Sequence, residues 1–191
     1  MIGGFLMERL SKQEFRCAVT WVYMLRSNCD RLHTATTLWT PDPENRLLAG
    51  GYNGAPSGHP SCDEIGHLMI DGHCLRASHG ELNAIRQCRD HDNLKNGTAT
   101  IIGSPCYSCA RELIGSGVRL IEYVGVYHNA PTQKLLDFLQ EELVKLFSRA
   151  NVRCVQISPS DLLNTIRKAL LFSCNKPGGI FKEHDALLVT L

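Results

Sequence analysis

Apolar residues first recur at helical spacing at Phe15, Ala18, Val19, Val22 and Leu25. Ser11-Lys12-Gln13-Glu14 precedes them as a capping box, so a first helix burying that apolar face is expected. The pattern then turns strand-like. Residues 35–39 mix Thr with apolar side chains, 41–45 read as a turn, and 46–52 return as a second strand, making a hairpin. Gly51 to Gly58 form an irregular loop, and residues 55–75 carry little apolar pattern. A helix is expected over about 79–89, with Leu82, Ile85 and Arg86 setting its faces, and a strand over 98–102 after the Asn96-Gly97 turn. A helix opening at Pro105, its favoured first position, should end near Gly115 or Gly117. Residues 120–126 read as a buried strand. Residues 131–150 form a long helix with Leu135, Leu136, Leu139, Leu143 and Leu146 as a stripe for core or subunit contact. A fifth strand spans 152–157. Ser158-Pro159-Ser160-Asp161 opens a last helix, which Pro177-Gly178-Gly179 breaks.

Helix, hairpin, then strands and helices in alternation predict an α/β fold. The expected architecture is a three-layer α/β/α domain over residues 1–175 with a five-stranded mixed sheet. Residues 176–191 remain an extension of unknown role.

Composition narrows the function. The net charge of +1, with no long basic run, argues against nucleic acid as the main partner. Nine cysteines, several beside His and with no secretion signal ahead of them, read as metal binding in a reducing compartment rather than as disulfides. Residues 2–7 are too short for a signal core, and no run reaches transmembrane length. A cytoplasmic protein is expected.

The chemistry concentrates in His79-Gly80-Glu81 and Pro105-Cys106-Tyr107-Ser108-Cys109. This H-x-E and P-C-x-x-C pair is recognised as the signature of zinc nucleobase deaminases. One imidazole and two thiolates fill three zinc positions and leave the fourth for water. Glu81, roughly 200° around an ideal helix from His79, need not crowd the metal and can serve the water as proton carrier. Two blander readings stand beside this one. C-x-x-C alone is often a structural zinc knuckle or a redox pair. Ser78 to Glu81 also fits a capping box, which would make Glu81 a helix-start residue.

Taken together, residues 27–128 resemble the deoxycytidylate (dCMP) deaminase family, including its competence-operon and phage members. The resemblance rests on Gly51-Tyr52-Asn53-Gly54-Ala55-Pro56, Asp71-Gly72-His73-Cys74-Leu75-Arg76, His79 to Ile85, and Ser104 to Cys109. It implies a cytidine deaminase-like fold and zinc-dependent hydrolysis of dCMP to dUMP. His79, Cys106 and Cys109 would be the metal ligands, Glu81 the catalytic residue, and Asn53, Gly80, Ser104 and Tyr127 the substrate contacts. It further implies a trimer or hexamer, activated by dCTP and inhibited by dTTP with Mg2+. Relatives use positions matching Cys29, Cys62, His67, His73 and Cys74 for a second, structural zinc. Cys29, Cys62, His67 and Cys74 are the expected set, with His73 as substitute.

Two departures from the family bear on substrate. Gly80 stands where alanine is usual, which should widen the pocket by about a methyl group while its N–H meets the pyrimidine carbonyl. His33 stands where a basic or amide residue precedes the first strand, a weaker phosphate contact. A deaminase of another cytosine compound (modified dCMP, a nucleoside, or a base in nucleic acid) and a catalytically idle binding module therefore stay open.

Overall fold

A computed structural model of the chain describes residues 9–70, 72–127 and 132–175. Expectations on residues 2–7, Asp71, His128, Pro131 and 176–191 fall outside these.

In chain order, α1 (Lys12–Met24) leads into β1 (Ala35–Trp39) and β2 (Leu47–Tyr52). A small excursion follows, with α2 (Cys62–Ile65), β3 (Met69–Ile70) and β4 (His73–Cys74). Then α3 (Gly80–Gln87), β5 (Thr98–Ile102), α4 (Tyr107–Gly115), β6 (Leu120–Val124), α5 (Gln133–Arg149), β7 (Arg153–Ile157) and α6 (Pro159–Asn175) alternate. The main sheet runs β2-β1-β5-β6-β7. β1 is antiparallel to β2 and β5, while β5, β6 and β7 are parallel. This is the expected five-stranded mixed sheet with helices on both faces. No described helix is long and apolar enough to cross a membrane.

Strand alternation divides the sheet into two unlike faces. Leu38, Ala99, Ile101 and Ile121 point into an apolar core with Ala84, Ala110, Leu113 and Phe147 from α3, α4 and α5. On the other face Thr37, Thr100 and Glu122 lie side by side across β1, β5 and β6. All three are buried.

That polar row reverses the expected orientation of α1. Its buried residues are Arg16, Cys17 and Thr20, whereas Phe15, Val22 and Leu25 are exposed. Arg16 grips Glu122 through two bonds, Nε to Oε2 at 2.8 Å and Nη2 to Oε1 at 2.6 Å. Thr100 Oγ1 and Gln13 Nε2 donate to the same carboxylate, and the Thr20 and Thr37 hydroxyls meet at 2.6 Å. A buried carboxylate needs such partners, so the helix face that supplies them must turn inward. The threonines of β1, and their alternation with apolar residues over Thr98 to Ile101 in β5, were the available signal.

Element ends shift by one or two residues, and two start points change. The N-cap of α3 is His79, without a side-chain cap bond. Ser78 Oγ instead accepts from Arg86 Nη1 at 3.0 Å, so the alternative reading of Ser78 to Glu81 as a capping box does not hold. The N-cap of α4 is Cys106, which places Pro105 one residue outside the helix rather than at its first position.

Candidate active site

Two βα connections deliver the site. The chain leaves β5 at Gly103, whose φ of 94° favours glycine, and enters α4 at Cys106. It leaves β2 at Tyr52 and reaches α3 after the excursion. Gly51 allows the close approach of α3 to β2, because a Cβ there would stand 2.3 Å from Ala84 N. Both helix starts thus open at one end of the sheet, beyond the carboxyl ends of β5 and β6.

The ligand atoms of His79, Cys106 and Cys109 all lie within 4.8 Å of one another. His79 Nδ1 is 3.7 Å from Cys106 Sγ and 3.3 Å from Cys109 Sγ. Ordinary zinc bond lengths give a tetrahedral N–S edge of about 3.5 Å, so this donor set fits zinc. A hydrogen bond from Cys109 holds the Cys106 thiol well below its usual value, against burial and with help from His79. The same bond, with burial, pushes Cys109 far up. Two sulfurs sharing one proton behave in this way, and a dication in its place would release that proton.

Glu81 is 5% exposed. Burial pushes its carboxyl up, against the pull of its own backbone N–H and of His79. A cavity of about 20 Å³, room for about one water, touches His79, Glu81, Cys106, Ser104 and Tyr127. Ser104 Oγ accepts the Tyr127 N–H at 2.9 Å, which ties the segment after β6 to the loop before α4. Burial pushes the Tyr127 phenol up, against the nearby Arg31 cation.

Asn53 and Gly80 meet each other. Gly80 N–H donates to Asn53 Oδ1 at 2.8 Å, and Asn53 Nδ2 donates to Leu32 O at 3.2 Å. The Gly80 N–H expected to face a pyrimidine carbonyl is therefore already satisfied. Nor does the missing methyl widen the pocket. A Cβ on Gly80 would point at the sheet, 3.1 Å from Gly51 O and 3.3 Å from Ala35 Cα.

A second group forms where apolar periodicity was lacking. The ligand atoms of Cys29, Cys62 and His67 lie within 4.8 Å of one another. Cys74 Sγ is 3.7 Å from Cys62 Sγ, close to the tetrahedral S–S edge of about 3.8 Å that zinc sets. His67 Nε2 lies 2.7 Å from Asp30 Oδ1, while its buried Nδ1 has no hydrogen-bond partner among the described residues. A histidine ligand is commonly held in this manner, with one ring nitrogen on a carboxylate and the other on the metal. Although burial opposes it, backbone N–H groups of Ala77 and Arg76, then His67, draw the Cys74 thiol down to about 6. His73 is exposed and lines the neighbouring cavity instead.

That cavity, about 290 Å³, is lined by Arg31, Asn53, His73, His79 and Tyr127 among others. His33, named for phosphate, is exposed and is not among the residues lining it. Arg31 was not anticipated, because the loop fold that brings it to this cavity has no local sequence signal.

Residues 11–124 match the family model described as the cytidine and deoxycytidylate deaminase zinc-binding region. Over 158 residues the chain is 33% identical to ComE operon protein 2 of Bacillus subtilis strain 168, covering 82% of this chain and 77% of that protein. It is 25% identical over 157 residues to the deoxycytidylate deaminase of Enterobacteria phage T2, covering 61% and 82%. The crystal structure of dCMP deaminase from the cyanophage S-TIM5 in complex with dCMP and dUMP superposes with a TM-score of 0.60. That match has 20% identity and covers 78% of this chain and 99% of the other, a likeness of fold.

Proposed function

This chain belongs to the cytidine and deoxycytidylate deaminase family, and from that membership we propose that it hydrolyses dCMP to dUMP and ammonia. The observation that carries the reading is Glu81. It is a buried carboxylate that closes no capping box, beside three metal-ligand side chains and a cavity sized for one water.

In this reading His79, Cys106 and Cys109 would hold zinc. Zinc supplies a water acidic enough to act as nucleophile near neutral pH. Glu81 takes one proton from the attacking water and gives it to the pyrimidine ring nitrogen, then carries the water's second proton to the amine, which leaves C4 as ammonia. A carboxyl raised by burial suits a group that must both accept and give back a proton. Tyr127 offers a ring face for the base, and Ser104 fixes its backbone. Asn53 holds the first turn of α3 through Gly80.

Cys29, Cys62, His67 and Cys74 would hold a second zinc. Four protein donors close the tetrahedron and leave no place for water, so the role is structural. The exposed apolar residues Phe15 and Val22 on α1, with Leu25 at its end, support a homo-oligomer. The trimer or hexamer, the dCTP and dTTP regulators with Mg2+, and residence in the cytoplasm rest on the family resemblance and the cysteine usage. A second reading, deamination of another cytosine compound, is kept by the 33% identical relative, whose name carries an operon and no substrate.

The test is ammonia release by the zinc-loaded protein on dCMP, deoxycytidine, CMP and base-modified dCMP. dCMP should be turned over far better than deoxycytidine. Glu81→Gln should lose turnover while retaining its zinc. Equal efficiency on the nucleoside would favour the second reading. A near-normal rate in the variant would remove Glu81 from the mechanism.

A further inference from the structure

Backbone pairing between β1 and β5 stops at Thr36 and Ile101, short of the metal ligands. One residue further along β5 a side chain takes over, because Thr34 Oγ1 donates to Ile102 O. Thr34 is 7% exposed, so neither its hydroxyl nor that carbonyl can rely on bulk water for a partner. A hydroxyl has a single proton, and this one is spent on Ile102. The main chain of Thr34 ties in the other direction. Its carbonyl accepts the Asn53 N–H at 3.1 Å, and Asn53 in turn holds the Gly80 N–H.

These bonds join the two halves of the site. One half runs from Asn53 through Gly80 to His79 and Glu81. The other leaves Ile102, turns at Gly103 and reaches Cys106 and Cys109. Among the described residues, the remaining side-chain hydrogen bonds that cross between the halves are made by His79, Glu81 and the two thiols themselves. Thr34 also lines the 20 Å³ cavity together with His79, Glu81 and Cys106, so the crossing bond lies against the space the reaction would use. Donors supplied by two separate helix starts hold a metal well only when their spacing is set beforehand by the groups around them.

We propose that Thr34 is a positioning residue, whose hydroxyl sets the spacing between the half of the site carrying His79 and Glu81 and the half carrying Cys106 and Cys109. Its effect on turnover rests on the deaminase reading, while its effect on metal retention does not. Nothing local in the sequence marks the role, because Ile102 lies 68 residues further along the chain.

The experiment compares wild type, Thr34→Val and Thr34→Ser. Valine keeps the branched shape and loses the hydroxyl, whereas serine keeps the hydroxyl. Zinc is withdrawn from each loaded protein with graded chelator, and the thiols set free are alkylated and located by peptide mass. Thr34→Val should free Cys106 and Cys109 at a chelator concentration roughly 5- to 50-fold lower than wild type, with Cys62 and Cys74 unchanged. Its kcat for dCMP should fall while KM stays nearly the same, because the placement of Glu81 against the thiolate ligands is what changes. Thr34→Ser should stay within about threefold of wild type on both readouts. Thr34→Ala loses the same hydroxyl and repeats the test if the valine variant does not fold. Equal retention at Cys106 and Cys109 in wild type and Thr34→Val would overturn the proposal. So would equal losses in Thr34→Val and Thr34→Ser, which would put the effect in packing, or a parallel loss at Cys62 and Cys74, which would make Thr34 a general stabiliser. If wild type released no ammonia from any substrate, the deaminase reading would fail, and the chelator titration would still decide the role of Thr34.

Discussion

Asn53 Oδ1 accepts the Gly80 N–H at 2.8 Å, and this bond ties the loop after β2 to the first residue of α3. Glycine at position 80 brings that N–H close to β1 and β2, where a side chain would press on Gly51 O and Ala35 Cα. His79 and Glu81 flank the bonded residue. Asn53 therefore positions the turn that carries His79 and Glu81 from behind.

Asn53→Ala leaves the buried Gly80 N–H without its acceptor, at a cost of about 1–3 kcal/mol. For a chain of this size that corresponds to a Tm lower by roughly 2–12 °C. We expect kcat to fall with it, because the turn carrying Glu81 loosens. Asn53→Asp keeps the acceptor, loses the donation to Leu32 O, and should be milder. Thermal melts and steady-state kinetics check this. A higher KM with unchanged kcat and Tm would make Asn53 a direct substrate contact instead.

The second metal group makes a separate prediction through Asp30, which is exposed and not a donor in the cluster. Its carboxylate fixes His67 with Nδ1 turned inward. Removing such a supporting carboxylate typically weakens metal affinity 10- to 100-fold. Asp30→Asn should release one zinc per chain at a lower chelator concentration than wild type does. Elemental analysis should give about two zincs for wild type and about one for Cys62→Ser. One zinc in fully loaded wild type would remove the second site.

What was legible in the sequence follows from where local signals agree. The Ser11 to Glu14 capping box and the Ser158 to Asp161 start are both present, because a cap is written within four residues. The sheet was legible for the same reason, and so were the two short motifs whose His79, Cys106 and Cys109 the fold brings together. The excursion through α2, β3 and β4 was not, because donors far apart in sequence organise it in place of an apolar stripe. The face of α1 was misread because its partner is Glu122, more than a hundred residues away. Phe15, Val22 and Leu25 kept the right period and the wrong side.

The contact between α1 and α6 should be acid-sensitive. Although burial opposes it, the Ser11 N–H and the Lys168 ammonium at 3.1 Å hold the Glu14 carboxyl below its ordinary value of 4.5. A carboxyl lowered in the folded state stabilises above its ordinary value and loses that stabilisation as pH falls through the folded value. Glu14→Gln retains a side chain able to serve the capping box but has no charge to lose. Its Tm deficit relative to wild type should be present at pH 6 and should shrink as pH is lowered from about 4.5 toward 3. Melting curves across that range check it, and a deficit independent of pH would assign the effect to packing.

The largest stability effect is expected at Arg16 and Glu122, whose side chains are 4% and 2% exposed. Removing one partner of such a pair leaves a buried charge uncompensated and costs about 3–5 kcal/mol. Glu122→Ala should therefore lower Tm by roughly 6–20 °C. It also strips Thr100 and Gln13 of their acceptor, which adds to the loss. Replacing both charges, as in Arg16→Met with Glu122→Leu, removes the uncompensated charge and should recover much of the stability. The recovery should be incomplete, because Asn45 loses the Arg16 Nη1 donor at 2.7 Å. His79, Cys106 and Cys109 lie at the helix starts beyond the strand ends, away from this pair, so zinc content in the double variant should match wild type. A double variant no more stable than Glu122→Ala would show that the layer holds the helix through its wider hydrogen-bond network rather than through the ion pair.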